Sequence, residues 1–549
     1  MDAGPSGDGI TSVDSTPVDG TSSDDADAAP TDALPADGGP GDAAATPVVG
    51  RRLLAGSVAL IGTGEDSCTS QDPAPGDRWC AFAATAAANT GGAGGDLWVI
   101  NVSRSVAGAD IKCDGTDSRC LRLTSTLFAG DLTLHGFTGD TLIFYADNVA
   151  LTDFVGTAFA WRPGWTGARR LTGTGGLLCV GHRTAAAAWC FDNNVSVAGS
   201  TSLDLLAGAL PAADGAPLPK VDTVLYSVAS EPNGVTKVGV QLSPDGDRLA
   251  WSNRNSATDK ETLRVQRLND DASRQVVAQD VSRWVITSDS EKFYWLSAFN
   301  YLAGAESGTL QMAAFPDGAD PTTLMAGVGQ YAEIPSGGII ARSGVVAGAG
   351  DLKIIPDRND PGTVKTLDSH VVGFWSWTTD GSAAVYSKTF DASAQLHDLY
   401  FSTVTAQAPC PLVTGAVAAG PVSFSSLKAD ANIAWAQLDP ATDHFQAYSA
   451  PVATCAGSRF ASGVTRWLAL EQGYIWQDDT ITGNEGTIRY GRFSNGVVPN
   501  GGTIVDTLAS ANYAVLRSHG VIVYTINAKT ARDGLYISDG LPVWTTARP

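Results

Sequence analysis

Hydrophobic residues recur along this chain in short alternating runs broken by turn formers, most sharply at VQLSPDGDRLAWSN, residues 240–253. Val240 and Leu242, then Leu249 and Trp251, alternate with polar neighbours as two half-buried strands do. Between them Pro244 presets φ, Ser243 and Asp245 can bond nearby backbone, and Gly246 relaxes the exit, which predicts a tight hairpin. The strand after this turn has counterparts: LAW ends at Trp251, FYW at Trp295, IIA at Ala341, AVY at Tyr386, IAW at Trp435, YIW at Trp476 and IVY at Tyr524, at gaps of 41 to 49 residues. Upstream, CAF ends at Phe82, IFY at Tyr145 and AAW at Trp189. The turn recurs as TTDGSAAVYS at 378–387 and more loosely as TSDSEKFYWLS at 287–297.

A second alternating strand follows each anchor, as in DLWVINV, TLRVQRL, DLYFSTV and GLYISDG, and several units add a short third, as in CLRLTST, RRLTGTG, CPLVTGA and PVWTT. A period near 45 residues filled with short strands is that of a β-propeller blade, whereas a β-helix repeats at about half that length. The pattern therefore predicts an all-β chain, a β-propeller of about eight to ten units. Ten units are counted, against the usual four to eight of one ring. Misread units, an unusually large ring and two rings all stay open, although a cut near residue 220 leaves three units upstream, too few for a ring. The alternating SVALIG, 57–62, lies before the first unit and is expected to pair with the last unit, closing the assembly and covering an edge.

The stretch LSPDGDRLAWS resembles the propeller repeat of TolB and its relatives, with DLYFSTV and RRLTGTG matching the strands that follow in that family. The resemblance runs from about residue 78 to 549, with the full signature in one unit. It implies the fold and an extracytoplasmic setting. TolB's N-terminal α/β domain has no counterpart, so its partner interactions are not carried over.

Composition changes the picture mainly at the N-terminus. Residues 1–50 hold ten Asp, no Lys, Arg or Glu and no aromatic residue, and so account for much of the net charge of −22. Such a segment cannot bury enough surface to fold and is expected to be a disordered acidic tether, roughly 35–40 Å across as a coil, with the repeat region at 51–549. The lack of a basic cluster argues against nucleic acid and against an anionic membrane surface. No run of 18 or more apolar residues, the length that spans a bilayer as a helix, occurs. The tether resembles the segment after the lipidated cysteine of bacterial surface lipoproteins, which implies a natural start upstream of Met1, with the export signal missing from this sequence.

Eight cysteines, none spaced C-x-x-C, point to disulfides in an oxidising compartment. Cys68 with Cys80, Cys113 with Cys120, and Cys179 with Cys190 form close pairs, leaving Cys410 and Cys455 to join consecutive units. The usual catalytic signatures, G-x-S-x-G, H-E-x-x-H, the P-loop and the dinucleotide fingerprint, are absent. His397 and His444 occupy matching places in consecutive units and read as solvent-exposed residues at strand starts rather than a pair of ligands on one rim; His182, between two cysteines, is assigned no role, and Asp245 and Asp380 read as turn formers. No cofactor or metal is expected.

The expectation is therefore a monomeric, non-catalytic extracytoplasmic propeller that binds a protein or glycan of the cell envelope. The alternative is a hydrolase or lyase with its site in the central channel. Segments 198–220 and 108–120 read as the longest connections and hence as the recognition surface, the second pinned by Cys113 and Cys120.

Overall fold

The computed structural model describes residues 50–538 apart from 61–67, 70–77, 85–95, 103–110, 125–135, 147–156, 174–177, 198–199, 213–215, 228–238, 256–259, 301, 303, 315–320, 335, 378–382, 392–395, 404–408, 419–421, 425–431, 440–443, 452–456, 471–472, 482–484, 493–500 and 517–520. The expected tether, residues 1–49, lies outside the described residues.

Each of the ten anchors lies on a strand and is buried, from Phe82 on Trp79–Ala84 to Tyr524 on Val521–Ile526. The anchors number the units one to ten in chain order. The anchor strand is second in an antiparallel meander of four, as in unit 4, where Val240–Leu242, Arg248–Asn255, Lys260–Arg267 and Asp270–Ile286 pair in sequence. Units 1, 2, 3, 7 and 8 form separate four-stranded sheets. Units 4 to 6 run together into ten strands because Asp270–Ile286 and Thr322–Glu333 are each long enough to end one unit and begin the next. Bulges between Ser282 and Val285 and between Val328 and Gln330 mark those changes of partner.

Alternation puts one apolar face of each sheet against the next. Trp79, Ala81 and Leu97 of unit 1 share a core with Leu142, Phe144 and Trp161 of unit 2, and Tyr294, Leu296 and Leu310 of unit 5 share one with Ile339 and Ile355 of unit 6. Every core cluster among the described residues draws on two successive units in this way. One cluster joins Val521, Val523, Leu535 and Ile537 of unit 10 to Val58, Phe82 and Trp98 of unit 1. The series of shared cores thus returns to its start. This is the stacked, radial arrangement of a β-propeller, in which a sheet buries its face only against its neighbours.

The closing strand differs from the one expected. Arg51–Ala55 pairs antiparallel with Gly534–Ser538 and becomes the fourth strand of unit 10. SVALIG instead supplies the first strand of unit 1, Val58–Leu60, paired with Trp79–Ala84. Leu53 and Leu54 are buried in RRLLA while both arginines are exposed, a pattern too short to stand out from sequence. The side chain of Asn527 fixes the crossing, donating to Val58 O at 2.6 Å and accepting from Val58 N at 3.2 Å. The expected strand PVWTT lies outside the described residues.

A four-stranded meander places its 1–2 and 3–4 connections at one end and its 2–3 and 4–1 connections at the other. These ends are the near and far rims below. Segment 198–220 is not the long loop expected: Ser200–Ala209 and Lys220–Ser227 are paired strands, leaving 210–219 as the connection.

Candidate functional site

The near rim is built from the hairpin turns of the units. At residues 243–248 the Ser243 amide donates to Arg248 O at 2.9 Å, its hydroxyl accepts from Arg248 N at 3.0 Å, and the hydroxyl also donates to Asp245. Gly246 has φ of 77°, and a Cβ there would lie 2.3 Å from the Ala185 Cβ, so glycine is required for conformation and for space. Burial pushes Asp245 up, but the bonds from Ser243 and from the Asp247 amide hold it below its ordinary value. The looser counterpart at 287–292 has the same design. Thr287 replaces Ser243 and donates to Asp289 at 2.6 Å, while Ser290 takes the glycine position with φ of 61°.

These turns are linked across the seams. His182 Nδ1 accepts from Ala185 N at 2.7 Å, so Nε2 carries the proton and donates to Ser243 O at 2.8 Å, joining unit 3 to unit 4. Asp245 N donates to Ser290 Oγ at 3.0 Å and Arg248 reaches Ser290 O at 3.3 Å, joining unit 4 to unit 5. Ser288 N donates to Glu333 Oε2 at 2.8 Å, joining unit 5 to unit 6. Arg358, on the 3–4 connection of unit 6, bridges Glu333 at 3.2 Å and Asp289, and Lys292 bonds Asn359 beside it. Burial pushes the Glu333 carboxyl up to about 7 against the pull of its Ser288 bonds. Asp289, Glu333 and Arg358 form a convergence of two carboxylates and an arginine on the rim. Single-strand patterning does not reveal it, because the three residues come from two connections and the end of Thr322–Glu333, across two units.

Another arrangement invisible in sequence recurs on the fourth strands. Asp222 accepts from Trp251 Nε1 at 2.8 Å, Asp368 from the Tyr386 hydroxyl at 2.6 Å, and Asp506 from the Tyr524 hydroxyl at 2.5 Å. Each ties the polar tip of an anchor to the preceding unit. Burial, reinforced by Asp506, drives Tyr524 far above the ordinary phenol range.

The segment Ile111–Cys120, the described end of the 3–4 connection of unit 1 and the first residue of its fourth strand, also lies on the near rim. Cys113 and Cys120 are bonded across it, with Cα atoms 5.1 Å apart. Asp114 accepts from Thr116 N at 2.9 Å, and Asp117 holds Arg119 through contacts of 2.6 and 2.8 Å. The side-chain hydrogen bond from Arg119 keeps Asp117 well below the carboxylate range. Lys112, Asp114, Thr116 and Ser118 remain exposed. This segment is thus bonded to itself and open to solvent.

Cys68–Cys80 and Cys179–Cys190 are bonded as expected, the second across directly paired strands. Cys410 is disulfide-bonded too, and Cys455 lies outside the described residues. His397 and His444 pair with Phe390 and Asp439 in third strands; their side chains and Asp380 lie outside the described residues. No metal-binding group of three or more His, Cys, Asp or Glu occurs among the described residues, and none of their helices is long and apolar enough to cross a membrane.

No protein-family model and no curated protein matches the chain. Solved structures with a similar arrangement include the β-propeller domain of the trilobed protease from Pyrococcus furiosus, at 10% identity and a TM-score of 0.29 over 60% of this chain and 97% of that one. TolB from Acinetobacter baumannii aligns at 13% identity and 0.24, over 58% and 81%. An acylaminoacyl peptidase from Pyrococcus horikoshii aligns at 10% and 0.30, over 57% of this chain and half of the peptidase. At such identities the fold is the extent of the likeness.

One expectation is corrected here. The chain was expected to be no enzyme, yet the similar structures include this peptidase and an oligogalacturonate lyase. The propeller fold accommodates catalysis as well as binding. The missing motifs exclude only the classes that carry them.

Proposed function

We propose that this chain is an extracytoplasmic propeller of ten units, closed by its own N-terminal strand, whose near rim binds a protein or glycan of the cell envelope. The observation that carries the reading is the exposed, disulfide-closed loop Ile111–Cys120. A loop already ordered by a cross-link and by its own hydrogen bonds loses little entropy when a partner docks, so its exposed polar groups count more fully toward affinity. The disulfides support a location outside the reducing cytosol, and Cys410–Cys455 is proposed as the fourth. The partner class follows from that location and from the acidic balance of the chain, which disfavours nucleic acid. The reading concerns binding and holds whether or not the bound molecule is turned over.

The test replaces residues 112–119 by a short Gly-Ser turn and compares capture of envelope protein and glycan with that by the intact chain. A partner held by the intact chain and lost by the variant at unchanged melting temperature supports the reading. Equal capture by both chains refutes the assignment to this loop.

A further inference from the structure

The far rim between units 5 and 6 carries a different combination of groups. We propose that it is a receptor for the C-terminus of a partner polypeptide, with Arg283 and Arg342 taking the carboxylate and Leu302 and Val346 flanking its last apolar side chain. Arg283 lies where Asp270–Ile286 passes from unit 4 to unit 5, and its Nη1 donates to Gly329 O at 2.5 Å in unit 6. Gln330, the next residue, is the register partner of Arg342, and the two guanidinium groups lie near enough for the charge of Arg283 to act on Arg342. Arg342 is half-buried; it donates to Gly348 O at 3.1 Å, while its buried Nε has no hydrogen-bond partner. Burial holds Arg342 below the ordinary arginine range, with Glu306 opposing and the Arg283 charge adding to the shift. Two cations facing one carboxylate leave an excess of positive charge on a chain of net charge −22, which selects an anion. Paired guanidinium donors match the planar, two-oxygen geometry of a carboxylate.

The flank decides which carboxylate. Leu302 is 64% exposed and Val346 75% exposed, two of the few large apolar side chains left in solvent among the described residues. Gly348 N donates to Gly304 O at 2.8 Å, setting their two connections side by side. Gly344 and Gly348 have open space where a Cβ would stand, so the floor is bare backbone. Arg283, Ala298 and Ala347 adopt φ of 45°, 49° and 51°, which is costly for residues with a Cβ and is concentrated at this end of the two units. An aliphatic flank beside a cationic pair fits an apolar terminal residue with its free carboxylate, and fits a uronate poorly, because sugar rings stack on aromatic faces and the Phe299 ring here already carries the Arg283 guanidinium on its face at 5.0 Å.

The test uses the full chain and a fluorescent hexapeptide ending in Ala-Leu-Val, as free acid and as C-terminal amide, followed by anisotropy. The free acid should bind at least tenfold more tightly than the amide. Arg283→Ala and Val346→Asp, both at exposed positions, should each weaken the acid at least tenfold with little change in melting temperature. Equal affinity for acid and amide, or no binding of the acid at 1 mM, would overturn the proposal. Tighter binding of trigalacturonate than of the peptide would overturn it in favour of an acidic glycan.

Discussion

The seam between units 5 and 6 and the seam between units 10 and 1 do the same job by different means. Between units 5 and 6 the chain is continuous through Thr322–Glu333, and the rim is tied by charge-bearing groups: Arg358 to Asp289 and Glu333, Ser288 to Glu333, and Lys292 to Asn359. Between units 10 and 1 nothing covalent crosses except the turn at Gly56, and the strand that completes unit 10 comes from the opposite end of the sequence. Its connection is mostly apolar, through Leu53, Leu54, Val58 and Leu60, with Gly50 N donating to the Tyr524 hydroxyl at 3.1 Å and Asn527 bonding Val58. Units 5 and 6 share an apolar core as well, but a continuous strand already aligns them, so the polar bonds of the rim need only set the angle. A seam closed across the whole chain must offset a large loop entropy, and buried aliphatic surface supplies that without fixed geometry.

The largest effect should come from the closing strand. Deleting residues 50–60 removes four buried aliphatic side chains, each worth about 1.5–3 kcal/mol, and exposes an edge on unit 10. Cooperative unfolding should fall by many degrees or be replaced by aggregation, whereas deleting residues 1–49 should leave the thermal midpoint unchanged. Next is Arg358→Ala, which at pH 8, where Glu333 is ionised, leaves that carboxylate without its cation and is expected to cost about 1–3 kcal/mol by denaturant unfolding, less than a buried pair would because Asp289 is part-exposed. A loss below about 0.3 kcal/mol would show that the clasp is decorative. Gly246→Val should cost about 1–3 kcal/mol through its left-handed backbone and its approach to Ala185, without touching either compared seam.

A smaller, signed effect concerns pH. The folded value of Glu333, about 7, lies above its ordinary 4.5, so the folded chain binds this proton more tightly than the unfolded chain. Its stabilising contribution is full below pH 4.5 and is lost as pH rises to about 7. Glu333→Gln should flatten the stability profile in that window; an unaltered profile would mean that Arg358 already holds the carboxylate ionised.

Much of the fold was legible because a period of about 45 residues and one buried aromatic or aliphatic anchor per unit are local signals, and all ten anchors from Phe82 to Tyr524 lie on second strands. The turn at 287–292 was recognisable despite lacking Pro and Gly, since Thr287 and Asp289 retain its hydrogen bonds. The closing strand was misplaced by a few residues. RRLLA and SVALIG are both short, and only pairing with Gly534–Ser538, nearly five hundred residues away, separates their roles. Segment 198–220 looked like a loop because its Gly, Ala and Ser content masked a strand whose inward residues, Leu203 and Leu205, are buried. Asp222, Asp368 and Asp506 gave no signal, for each finds its aromatic partner across a seam.

End-on class averages of the full-length chain by electron cryomicroscopy test the cycle of ten shared cores most directly. Ten radial sheets around one axis, with density continuous from the tenth to the first, are the predicted result. A ring of eight or fewer sheets, two smaller rings, or a gap where residues 51–55 should lie would contradict it.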